Sequence, residues 1–167
     1  MTTLTQREQD ILMSFREFIE DSCEHDDRYG EARRMDSEDG SVLATVFEAG
    51  DSCWFEVALI PEIPQIRVGF LIENPALTED FLSSLRESFG SLADVVRGSF
   101  AEAGLNWVDA PVEHSREGET PFFVATPWDV EDLYDLENEA VRNRTLRMLE
   151  GYVLAFSPVM FDDEDDE

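Results

Sequence analysis

The sequence predicts an α+β fold: an antiparallel sheet, made of a three-stranded meander plus two further strands, packed against N-terminal, middle and long C-terminal helices. Three observations carry this. The apolar residues recur at helical spacing up to about residue 24, alternate from 41 to 72, and return to helical spacing after 76. Apolar residues make up 43% of 167, with twelve Phe and three Trp, enough for a core despite the charge. No run of eighteen apolar residues interrupts the pattern. Residues 1–160 accordingly read as one domain, and 161–167, with six consecutive acids, as an acidic disordered tail.

In the first helix, Thr5 and Glu8 have the spacing of a capping box, and Ile11, Leu12, Phe15, Phe18 and Ile19 stack on one side. The polar stretch from His25 to Gly40 reads as a loop. SVLATVFEA, SCWFEVALI and QIRVGFLI alternate with period two and are rich in branched and aromatic residues, as strands are. Gly50-Asp51 suits a tight turn between the first two. Cys53, Phe55, Val57 and Leu59 share a face with Ile66, Val68, Phe70 and Ile72, which should meet the helices. The opposite face is mixed: Trp54, Glu56, Ala58, Ile60, Arg67 and Leu71.

Leu77, Phe81, Leu82, Leu85 and Phe89 mark a helix ended by Gly90. Ser91 and Asp94 can cap a second, which Gly104 terminates. LNWVDAPVE and TPFFVATP read as two more strands around the polar turn HSREGE. The last segment reads as one long helix, with Thr126 as N-cap, Pro127 at its first position, Asp129 as capping partner and Pro158 as its stop.

Thirty-nine acids face twelve Arg and no Lys, a formal charge of −27. Such a chain lacks the cations that displace phosphate counterions, so nucleic acid and anionic membranes are excluded as partners, and a basic protein is favoured. Arg-for-Lys codon bias and a salt-adapted cytoplasm explain the same composition with no partner. The first residues lack the basic start and apolar stretch of an export signal, so a cytoplasmic location is expected. Cys23 and Cys53 fall in helix and strand, as buried thiols would.

Catalytic signatures are missing: there is no G-x-S-x-G, no glycine-rich phosphate loop and no lysine for a Schiff base. Cys23, His25 and Asp26 collect metal-ligand types without a metal-site spacing, and His25 and His114 fall in polar turns. The sequence therefore predicts no enzyme, no cofactor and no metal site. What remains is apolar surface. Trp54, Ile60 and Leu71 on the strands, Met148, Leu149 and Tyr152 on the last helix, and Val159, Met160 and Phe161 after it are the candidate partner-binding residues.

The element order, the meander SVLATVFEAGDSCWFEVAL with QIRVGFLI, and the closing RTLRMLEGYVLAF resemble the class I type III secretion chaperones and the YbjN-like bacterial family over residues 4–158. That resemblance implies a non-enzymatic homodimer that holds a partner polypeptide on exposed apolar patches, and the negative charge would attract a partner that is basic or unfolded. An acidic nucleic-acid mimic that blocks a basic protein, and a small metal-binding protein around Cys23, His25 and Asp26, are the alternatives.

Overall fold

The N-terminal helix forms where its capping box predicts. The Glu8 amide donates to Thr5 Oγ1 at 3.1 Å and the Thr5 amide to Glu8 Oε1 at 2.9 Å. The structure, a computed structural model, describes residues 4–26, 28–50, 53–73, 79, 83, 92–115 and 122–160, with the backbone alone at 50 and 157–160. Its elements are α1 (Gln6–Glu24), β1 (Ala32–Arg34), β2 (Leu43–Gly50), β3 (Cys53–Ile60), β4 (Gln65–Ile72), α2 (Leu92–Glu102), β5 (Glu113–His114), β6 (Phe122–Asp129), a 3-10 turn (Leu133–Glu137) and α3 (Glu139–Met160).

The six strands form one antiparallel sheet in the order β1-β2-β3-β4-β6-β5, so the α+β class holds. β2, β3 and β4 are the expected meander. Phe47, Phe55, Phe70 and Val124 face one another across adjacent strands and are at most 1% exposed. The helices lie on this face. α1 reaches it through Arg16 and Glu20 against Thr45, and α3 through Phe156 against Phe70 and Tyr152 against Thr126. α2 packs on α3 rather than on the sheet.

A file of rings runs through the core. Tyr29, Phe55, Phe70, Phe156, Tyr152, Phe100 and Trp107 follow one another with centroids 4.9–6.3 Å apart. Each such pair adds about 0.5–1.5 kcal/mol beyond its buried area. Burial raises the Tyr29 and Tyr152 phenols well above their ordinary value, although Thr126 hydrogen-bonds Tyr152 at 2.9 Å. α2 ends as its glycine predicts: Gly104 has φ +86°, its amide donates to Ala101 and that of Leu105 to Phe100.

Four sequence expectations change. The loop after α1 contains β1, whose three residues pair with β2. LNWVDAPVE contributes only Glu113, the first of the two residues of β5. Thr126, Pro127 and Asp129 do not start a helix. They sit in β6, paired in an eight-rung ladder with β4, and α3 begins only at Glu139. Pro158 does not stop α3, which runs to Met160, because the amide it lacks is lost only in the final turn. The expected helix at 77–89 (Glu79 and Ser83 aside), the turn at Asp51 and the tail at 161–167 lie outside the described residues.

Candidate functional site

Strand parity determines what the sheet's other face carries. The alternation that points Phe55 and Phe70 inward points Trp54, Glu56, Ala58, Ile60, Arg67, Gly69 and Leu71 outward. None of the described helices packs there. One cross-strand row reads Glu48–Trp54–Leu71–Phe123. Its three apolar members are half-buried by one another, as directly opposed side chains are.

The next two rows are low. They read Val46–Glu56–Gly69–Ala125–Glu113 and Ala44–Ala58–Arg67–Pro127. Gly69 is bare for a reason: a Cβ there would stand 2.4 Å from the Val124 carbonyl oxygen and 2.9 Å from the Ala125 Cβ. Close approach of β6 thus demands glycine, and Val46, Ala58 and Ala125 around it are at most 5% exposed. Exposed Glu48, Glu113 and Asp129 edge this face. Arg67 binds Glu113 at 2.8 Å and Gln65 binds Asp129 at 2.8 Å.

Glu56 stands opposite Gly69. Burial pushes its carboxyl above the ordinary glutamate value, with Arg67 pulling it down. A carboxyl raised in the folded state binds its proton more tightly there than in the unfolded chain. It therefore adds stability as pH falls towards the ordinary value of about 4.3, and this gain is absent above its raised value. Glu20 has the opposite sign. Burial raises it, but bonds from Arg34 and Thr45 and the charge of Arg34 and Arg16 outweigh that, so its stabilisation is lost in more acid solution. Thermal melts should show Glu56→Gln gaining less stability than wild type between pH 7 and 5. Equal gains would refute the burial of this carboxylate.

The structure brings Trp54 and Leu71 into direct opposition, and sets Ile60 six residues along β3 at the far end of the face. It places Met148, Leu149 and Tyr152 in the core, each 0% exposed, so they are not surface residues. Their wide arc reflects a helix enclosed by sheet, α1 and α2 together. The side chains of Val159 and Met160, and all of Phe161, lie outside the described residues. Phe123 completes the apolar row, although sequence reasoning did not include it among the partner-binding residues. Carrying period two through Asp129 would have found it.

Elsewhere the candidate chemistry disperses. Burial pushes the Cys23 thiol up to about 12, and both Cys23 and Cys53 are buried. Asp26 is bound to Arg28 at 2.7 Å, and His25 is exposed at the α1 C-cap. His114 lies in β5, not in a turn, with its ring against Phe122. Among the described residues no three His, Cys, Asp or Glu converge to hold a metal ion, and no helix is long and apolar enough to cross a membrane. Comparison with protein-family models, curated proteins and solved structures finds no match for this chain.

Proposed function

We propose that this chain is a non-enzymatic protein-binding module whose second sheet face, against which no described helix packs, receives a basic, amphipathic segment of a partner polypeptide. The observation that carries this is the half-buried Trp54–Leu71–Phe123 row, on a face against which no described helix packs. Charge selects the occupant. A chain of formal charge −27, with Glu48, Glu113 and Asp129 around the apolar row, attracts Lys- and Arg-rich segments and repels a second copy of itself. Aromatic and aliphatic side chains supply the anchoring area, and the acids supply encounter rate and selectivity. The resemblance in layout to secretion chaperones and the YbjN-like family supports a polypeptide-holding role in the cytoplasm. Homodimerisation through this face is the less favoured arrangement on charge grounds.

The test uses a synthetic Lys/Leu amphipathic helical peptide, a scrambled peptide of equal charge, and the chain with Trp54, Leu71 and Phe123 all replaced by Ser. The wild type should bind the amphipathic peptide at least about tenfold more tightly than either the scrambled peptide or the substituted chain does. Binding should weaken as salt rises through the physiological range. A substituted chain that keeps its circular dichroism and still binds like wild type would end the proposal.

A further inference from the structure

Most arginines of the described residues have polar partners. Arg7, Arg16, Arg28, Arg34 and Arg67 pair with acids, and Arg97, Arg142 and Arg147 donate to main-chain carbonyls. Arg144 differs. Its guanidinium carbon lies over two indole rings, 4.7 Å from the Trp107 ring centre and 4.8 Å from that of Trp128. Its Nε is sealed from solvent with no hydrogen-bond partner, and no described acid forms an ion pair with it. Burial lowers its proton affinity with no opposing charge to offset the effect.

With 39 acids to 12 Arg in the chain, an unpaired guanidinium asks for a ligand. Of its nitrogens only Nε is sealed without a partner, so the two terminal nitrogens keep their edge towards solvent. That edge matches the two oxygens of a carboxylate. Trp107 also walls a shallow groove of about 270 Å³ with Arg97, Gly104, Leu105 and Val108. Val108 is apolar yet 83% exposed. The field of the whole chain repels each ligand charge, so a monoanion is disfavoured less than a phosphate dianion.

We propose that the Trp107–Arg144–Trp128 clamp and its neighbouring groove bind an apolar monocarboxylate, the carboxylate on the Arg144 edge and the apolar group against Trp107 and Val108. Either a short-chain acid or the free C-terminus of a peptide ending in an apolar residue has this chemistry. The site is separate from the sheet face and does not depend on its role.

The test follows the Arg144 Nε–H resonance of ¹⁵N-labelled protein, identified by its loss in Arg144→Lys, together with tryptophan fluorescence. Hexanoate, hexanol, inorganic phosphate, and a Leu-ended peptide with free or amidated terminus are titrated in turn. Hexanoate should shift the resonance saturably at millimolar concentration and weaken at least about tenfold in Arg144→Lys and in Val108→Asp, whose exposed site leaves the fold intact. Tighter binding of the free-terminus peptide than of hexanoate would identify a peptide end as the source, and the reverse a small acid. Equal responses to hexanol or the amidated peptide, stronger binding of phosphate, or no saturation up to about 50 mM by hexanoate or the free-terminus peptide would overturn the proposal.

Discussion

Asp36→Ala is expected to destabilise the fold by about 3 kcal/mol, and Arg16→Met by less, although Arg16 is the more buried partner. Arg16 emerges from α1 with its side chain only 5% exposed and binds both oxygens of Asp36, at 2.8 and 2.9 Å. It also reaches the Ala44 carbonyl at 3.1 Å, while the Ala44 amide donates to Asp36. One ion pair therefore ties α1, the segment before β2 and β2 itself together. Removing Asp36 leaves a buried guanidinium without its bidentate partner, held only by the Ala44 carbonyl and Thr45 Oγ1, with its Nε already unsatisfied. Removing Arg16 leaves a carboxylate that is 36% exposed and can be hydrated. Urea titrations of the two variants decide the matter. If Arg16→Met proves the more damaging, attraction within the pair outweighs the cost of dehydrating it.

Gly151→Val should cost about 3 kcal/mol, and much of that cost should vanish when Phe100 is also cut to Ala. A Cβ at 151 would stand 2.3 Å from Phe100 Cδ1 and 2.8 Å from Cε1. The ring cannot retreat easily, because Trp107 stacks 6.3 Å away and Tyr152 lies 5.8 Å away. Glycine on α3 is thus what lets α2 lie close, despite losing about 1 kcal/mol of helix propensity relative to Ala. Phe100→Ala alone should cost about 3–5 kcal/mol. A double-mutant cycle by denaturation checks the pair, and strictly additive losses would disprove the steric account.

Local signals specified α1, the meander β2–β4 and the end of α2. The Thr5–Glu8 box, the alternation in the meander and Gly104 each act within a few residues, so each could be read directly. Thr126-Pro127-Trp128-Asp129 misled for the same reason. Its local chemistry suits a helix start, yet pairing of β6 with β4 from Phe122 to Asp129 overrides it. β5 pairs no further than the rung of Ala125, so one flank of β6 is open at Pro127, where a strand tolerates proline. The candidate site was legible only in part. Trp54, Ile60 and Leu71 follow from parity alone, whereas Phe123 needed β6 to be recognised along its whole length. Met148, Leu149 and Tyr152 could not be separated from surface residues without knowing that α2 closes over α3.

The outermost strands β1 and β5 carry a further consequence. They are three and two residues long, and Arg33, Arg34 and Glu113 load them with charge. Among the described residues, neither of these two strands offers a stray extended chain a lengthy row of free amides and carbonyls to zip onto. Fibril-like stacking is thereby discouraged, and any visitor must settle broadside across the strands instead of extending them.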